Sequence, residues 1–166
     1  PTVLFNAMLK PLIGYGMKGV IWYQGETDVW MPDLYVKLFD AMVKEWRTLW
    51  DIGEFPFYYC QIAPYKNSKN QAFFREAQEK GMSVTPTTGM IVKMDSNSPE
   101  SIHPDKKQEV GERLAYWALS EAYGVKGLAY KSPSLKDLKV EGNIATITFD
   151  NAPDGIISKE EVNGVY

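Results

Sequence analysis

The sequence contains a single histidine, His103, so the candidate for proton transfer near neutral pH is already named. It lies in Ser101-Ile102-His103-Pro104, just ahead of a helical pattern. As a general base it would take a proton from a nucleophile and return it to a leaving group. Such a base needs an acid to hold its tautomer. Glu100 stands three residues back, and Asp95 eight residues back at the end of an apolar run. The competing reading is a solvated loop histidine that caps the following helix. A second cluster, Gln24-Gly25-Glu26, directly follows the apolar run Val20-Ile21-Trp22-Tyr23. Gly25 permits a sharp turn or a close backbone approach. Gln24 offers amide donors to a developing oxyanion. Glu26 has the chemistry of an acid, a base or an orienting group. Without those roles, the same three residues are a polar turn from strand to helix. Trp22 and Tyr23 suit either a core or a sugar platform, and Arg75 reads as a site residue or an exposed helical charge. Cys60 reads as core.

A serine hydrolase needs its nucleophile in a tight turn after a strand. Ser68, Ser83, Ser96, Ser98 and Ser101 all fall in loops without that context. No GxSxG, P-loop or GxGxxG pattern occurs. The spacing alone therefore yields half an active site. Paired carboxylates, Glu26 with Asp95 or Glu100, would instead suit a glycoside hydrolase. Trp22, Tyr23 and Tyr65 would suit a non-catalytic carbohydrate-binding module.

The remaining composition narrows the classes. At 166 residues the chain is long enough for one domain with a sizeable core, or a domain and a piece of another. Apolar residues at 45% and charged residues at 23% are ordinary for a globular protein and exclude a disordered tail. A net charge of −3 leaves no electrostatic footprint for nucleic acid. No apolar run approaches 18 residues, so no membrane span is expected. One cysteine precludes an internal disulfide and a cysteine-rich zinc site, and no metal ligand set is read. The chain opens at Pro1 without an initiator Met and ends just after a new β-rich unit begins, which reads as a piece of a longer polypeptide.

The elements that must position these residues follow from periodicity. Val3, Leu4, Ala7, Met8 and Leu12 predict a helix over 2–13. Residues 19–23, 57–63 and 89–94 predict buried strands. The clearest helix spans 33–50, where Leu34, Leu38, Phe39, Met42, Trp46, Leu49 and Trp50 form one stripe read as core. A short pattern predicts a helix over 70–80, and a second strong one predicts a helix over 105–123. Alternation of helix and strand argues a parallel sheet with helices on its faces. In such a sheet ligands bind beyond the carboxyl ends of the strands, where Gln24, Asp95 and the loop to His103 fall. From about Lys131 the composition shifts, and 138–149 reads as a β-hairpin turning at Glu141-Gly142-Asn143. A boundary near 128–134 divides the chain into 1–130 and 131–166.

With these motifs placed, their order resembles a known family. Gly19-Val20-Ile21-Trp22-Tyr23-Gln24-Gly25-Glu26-Thr27 resembles a conserved block of the sialate O-acetylesterase-like carbohydrate esterases, a branch of the SGNH hydrolases. Leu4-Phe5-Asn6-Ala7-Met8 with Pro11-Leu12, Trp46-Arg47, Gln61-Ile62-Ala63-Pro64, Arg75-Glu76-Ala77-Gln78 and Ile102-His103-Pro104 match in order, as do Lys107, Val110-Gly111 and Arg113-Leu114-Ala115. The resemblance covers about 1–125. It implies a flavodoxin-like three-layer α/β/α fold, present in part, followed by the start of an antiparallel β domain. It implies deacetylation of sugar hydroxyls through a serine acyl-enzyme, with no cofactor and with an acetylated sugar or glycan as substrate. His103 carries over as base, Gln24 and Gly25 to the oxyanion region, and Glu26 to its support. The family's serine lies in a Gly-Gln-Ser-Asn block that this sequence lacks, so the resemblance implies a nucleophile elsewhere in the same polypeptide and an inactive piece alone. Asp28 stands where the family has Asn. The triad acid falls to Asp95, which matches a family Asp, or to Glu100, which stands where the wider superfamily has Asp. An extracellular or periplasmic location is implied by the resemblance alone.

Overall fold

The computed structural model describes residues 2–95, 98–103 and 105–156. Pro1, Ser96, Pro104 and the end of the β-rich segment beyond 156 lie outside the described residues. Two compact units are present, Pro1–Tyr130 and Lys131–Tyr166.

The first unit holds strands β1 (Val20–Trp22), β2 (Phe57–Cys60) and β3 (Thr88–Ile91) and helices α1 (Pro32–Trp50), α2 (Gln71–Val84) and α3 (Lys107–Trp117). The strands form one parallel sheet in the order β1-β2-β3. Val20 pairs with Phe57, and Phe57 with Thr88. All four residues of the central strand β2 are buried, as a strand covered on both faces requires. The period of two then sorts its residues between two cores. Phe57 and Tyr59 join Met90 and the α1 and α2 residues Tyr35, Phe39, Val43, Trp50 and Phe74. Tyr58 and Cys60 join Ile91 and the α3 residues Val110, Leu114 and Trp117. Helices thus cover both faces of the sheet, and the three layers expected from the alternation are present.

Pro32 occupies the first turn of α1 with Asp33 beside it, a favourable start for a helix. Asp51 ends the helix in the left-handed region at φ 50°, its N–H donating to the Arg47 carbonyl. Arg47 itself is buried. It donates to the Phe55 carbonyl at 2.8 and 3.2 Å and to the Thr87 carbonyl at 3.3 Å. One guanidinium therefore ties α1 to the chain entering both β2 and β3.

The strands are shorter than the apolar runs that announced them. The run over 57–63 holds the four-residue strand Phe57–Cys60 and the run over 89–94 only the last three residues of Thr88–Ile91, because after the Gln61 N–H bonds the Ile91 carbonyl the chain leaves the ladder to build the rim. The segment over 2–13 is a π-helical turn, Phe5–Leu9, followed by a 3₁₀ turn, Lys10–Leu12. Leu9 and Ile13 pack on the core, while Val3, Leu4, Met8 and Leu12 are exposed. The α1 stripe is also divided. Phe39 and Trp50 are buried and Met42, Trp46 and Leu49 pack against them, but Leu34 and Leu38 are exposed. Tyr35, Val36 and Val43 take the inward positions instead. The last predicted helix is α-helical to Trp117 and widens into a π-helical turn over Ala118–Ala122.

The second unit contains a hairpin of β4 (Ser134–Glu141) and β5 (Ile144–Asp150). Gly142, with φ 63°, leads its two-residue turn, as a type II′ turn demands. Leu135 faces Phe149, Leu138 faces Ile147 and Val140 faces Ala145. A bulge between Leu135 and Asp137 keeps these apolar pairs on one face. No helix among the described residues is long and apolar enough to cross a membrane.

Two predictions follow from the packing of the first unit. All five tryptophans precede Tyr130, so their fluorescence reports unfolding of that unit alone. A Cβ at Gly89 would stand 2.4 Å from Cε3 of Trp117, whose ring is held between Tyr58 and Tyr130. Gly89→Ala is expected to cost about 1–3 kcal/mol in urea denaturation, and an unchanged midpoint would contradict this packing. Lys93, two residues past β3, has 0% exposure. Burial pulls its ammonium from an ordinary 10.5 down to about 8, with Cys60 and Glu26 opposing that shift and Lys107 adding to it. Between those values the unfolded chain holds more protons than the folded one, so stability rises with pH. Burial pushes the neighbouring Cys60 thiol from 9.0 up to about 11, which acts in the opposite sense above pH 9. From about pH 7 to 9 the wild type should therefore gain about 1 kcal/mol relative to Lys93→Met. A constant difference across that range would contradict the burial of the ammonium.

Candidate active site

Three chain segments leave the carboxyl ends of the strands and meet at one rim. The segment after β1 turns sharply at Gly25, whose φ is 150°. A Cβ there would lie 2.8 Å from Cε1 of Phe74 and 3.1 Å from Cγ2 of Ile62. Only glycine lets the Gln24-Gly25-Glu26 turn press against α2 in this way. Glu26–Asp28 then forms a 3₁₀ turn, closed by the Asp28 N–H donating to the Gly25 carbonyl at 2.9 Å. The Gln24 amide donates to Asp28 Oδ2 at 2.5 Å. The carboxylate thus orients the amide, and the second amide hydrogen of Gln24 remains as a donor.

The segment after β2 is held by two glutamines of α2. Gln78 is fully buried; its Oε1 accepts from the Ile62 N–H at 2.9 Å and its Nε2 donates to the Cys60 carbonyl at 3.3 Å. Gln71 makes the same reciprocal pair with the backbone of Tyr65, at 2.9 and 3.0 Å. Arg75 donates to Gln71 at 3.1 Å, on the inner side of α2 rather than as a solvated helical charge. Tyr65 accepts from Asn67.

The segment after β3 carries the remaining candidates. Arg113 of α3 grips Asp95 with two bonds of 2.7 Å and also donates to the Val92 carbonyl at 2.6 Å. Glu100 pairs with Lys66, and the Lys66 N–H donates to the Pro99 carbonyl at 2.9 Å, joining the second and third segments. His103 is exposed, and its backbone N–H donates to Ser101 Oγ at 3.0 Å.

One cleft of about 310 Å³ opens where the first and third segments face each other. It is lined by Tyr23, Glu26, Ile102, His103 and Lys107. The structure thus brings His103 and Glu26 together, with Gln24 and Gly25 on the turn beside Glu26. Asp95 and Glu100 are absent from its lining and are engaged by cations. A Glu26 pair with either carboxylate is therefore not formed across this cleft. The aromatic platform is not formed either, because Trp22 turns inward onto Trp46 with ring centroids 5.7 Å apart. Among the described residues, no group of three or more His, Cys, Asp or Glu is placed to hold a metal ion.

Lys93 escaped sequence reasoning, and Lys107 entered it only as a match to the family, with no role. Lys107 lines the cleft, and its Nζ is 5.2 Å from the Tyr23 ring centroid. Lys93 Nζ stands over the same ring at 3.6 Å. A desolvated contact of this kind is worth ~2 kcal/mol. Burial, with Glu26 and Cys60 adding to it, pushes the Tyr23 phenol well up, so the ring stays neutral against the ammonium. The available signal was a lysine inside Met90-Ile91-Val92-Lys93-Met94, an otherwise apolar run.

Comparisons with known proteins identify the family and support the fold. Residues 4–120 match the profile of the family described as carbohydrate esterase, sialic acid-specific acetylesterase. The sialate O-acetylesterase of Mus musculus is 34% identical over 172 residues, covering 90% of this chain and 32% of the mouse protein. That of Homo sapiens is 36% identical over 153 residues, covering 80% of this chain and 29% of the human protein. The crystal structure of a carbohydrate acetylesterase from Xanthomonas citri matches with a TM-score of 0.81 and 38% identity, over 90% of this chain and 36% of that one. The chain spans about a third of the length of these relatives. With the parallel sheet, the Gln24-Gly25-Glu26 turn and the His103 cleft in place, these likenesses establish that the chain belongs to the sialic acid-specific acetylesterase family of carbohydrate esterases.

Proposed function

We propose that this chain supplies the base and oxyanion sides of a carbohydrate O-acetylesterase site. The observation that carries this reading is the cleft shared by His103 and Glu26 at the carboxyl ends of the strands. In the reaction a serine hydroxyl attacks the acetyl carbonyl, and His103 accepts its proton. The carbonyl oxygen becomes an oxyanion, to which Gln24 and the backbone at Gly25 donate. His103 then protonates the departing sugar oxygen, leaving the acetyl group on the serine. Water attacks that ester with its proton taken by His103, and acetate leaves as the serine recovers its hydrogen. Glu26 supports the oxyanion turn. Among the described residues no serine lines the cleft. The nucleophile in this reading comes from the remainder of the same polypeptide, with residues 1–130 the latter part of the catalytic domain. The hairpin from Lys131 begins an accessory β domain, and the substrate is an acetylated sugar or glycan outside the cytoplasm.

Of the two acids, we assign the triad role to Glu100. Both Asp95 oxygens are taken by the Arg113 fork, whereas Glu100 meets Lys66 through Oε2 and shares the His103 loop. Asp95 serves instead to tie the rim to α3.

The test is acetate release from O-acetylated sugars by these 166 residues and by the full-length polypeptide containing them. The longer form should be active and the shorter inactive. His103→Ala should lower kcat/KM by roughly 10³-fold. Cleavage of a glycosidic bond without acetate release, or full activity in His103→Ala, would refute the reading. Glu100→Gln should lower kcat by about 10²-fold with an unchanged melting temperature. Asp95→Asn should instead cost about 1 kcal/mol of stability. The reverse pattern would transfer the triad role to Asp95.

A further inference from the structure

The two halves of the cleft come from strands that are not neighbours. Tyr23 and Glu26 follow β1, while Ile102, His103 and Lys107 follow β3, and β2 lies between. No backbone ladder joins the two ends. Lys93 crosses that gap. It leaves the end of β3 with 0% exposure and sets its Nζ 3.6 Å from the centroid of the Tyr23 ring. Nothing in the reaction requires a proton or a charge from this lysine, and a buried ammonium is costly to keep. Its geometry is that of a strut. The ammonium rests on the ring face, and the ring, 38% exposed, shows its remaining surface to the cleft.

We propose that Lys93 is a positioning residue of the esterase site, whose buried ammonium clamps the Tyr23 ring and thereby fixes the wall of the cleft opposite His103. This role rests on the esterase reading above. A clamp acts on how substrate is held, so its loss raises KM more than it lowers kcat. The clamp is the contact of the ammonium with the ring, so the effects of removing its two partners do not multiply. Replacing the buried ammonium by an apolar chain of similar length does not weaken the fold at neutral pH, because the desolvation cost leaves with it.

The experiment uses the full-length protein with Lys93→Met, Tyr23→Leu, Tyr23→Phe and the Lys93→Met/Tyr23→Leu double variant. Lys93→Met should raise KM about tenfold with kcat changed less than KM and with no drop in melting temperature at pH 7. Tyr23→Phe, which keeps the ring face, should lose less than Tyr23→Leu, and the double variant should be no worse than the poorer single one. With lysine labelled at Cε, one resonance that disappears in Lys93→Met should be shifted upfield by the Tyr23 ring and return to the ordinary position in Tyr23→Leu. Multiplying single-variant effects, an unchanged KM in Lys93→Met, or a loss of activity that tracks a loss of melting temperature would overturn the proposal. So would the absence of the shifted resonance. A wild-type protein that releases no acetate would overturn the esterase reading itself, and the resonance would still decide whether the clamp exists.

Discussion

The rim of this protein depends on the approach of Gly25 to the ring of Phe74. The turn after β1 must lie flat on α2 for Glu26 to enter the cleft, and any side chain at Gly25 would occupy the space of Cε1 of Phe74. That contact requires Phe74 to be immobile, and it is fully buried against Tyr35, with ring centroids 4.6 Å apart. It also requires Ile62 to be in place. The chain there has left the β-ladder, so its polar backbone needs other partners. Gln78 supplies them, and Gln71 repeats the device about two helical turns earlier at Tyr65. Two side-chain amides on one face of α2 thus replace a strand where the sheet stops.

The same logic explains why charged groups sit inside the first unit. Arg47 closes the amino ends of β2 and β3 by donating to the Phe55 carbonyl and by sharing the Thr87 carbonyl with the Phe57 N–H. Arg113 does so at the carboxyl end with Val92 and adds Asp95. Lys93 meets an aromatic face in the same interior. Each cation stands at an end of the short parallel sheet. In a three-stranded sheet whose strands have three or four residues such places make up much of the structure. Cationic side chains therefore take part in its framework as well as its surface.

The position of the chemistry follows from this framework. In a parallel sheet all strand ends of one sense lie on one side, so segments distant in sequence converge there. His103 and Glu26, 77 positions apart in the numbering, share a cleft for that reason. The two acids read as partners of His103 also meet cations from other elements, Glu100 meeting Lys66 of the second segment and Asp95 meeting Arg113 of α3. Proximity along the chain thus differs from proximity in space.

The sequence alone determined the alternation of helix and strand, the parallel sheet, the hairpin turning at Gly142 and the candidacy of His103 and the Gln24-Gly25-Glu26 turn. These rest on local pattern: apolar period, turn chemistry and the count of a rare residue type. Only the tertiary structure decided where strands give way to rim, because an apolar run continues inward after its hydrogen bonds have changed partners, as at Gln61-Ile62-Ala63. It decided which face of α1 is core, since Leu34 and Leu38 satisfy the helical period yet face away. It also decided that Asp95 and Glu100 meet cations and that Lys93 is buried on Tyr23. Those outcomes depend on contacts between residues far apart in the chain, and no local pattern carries the distance between them.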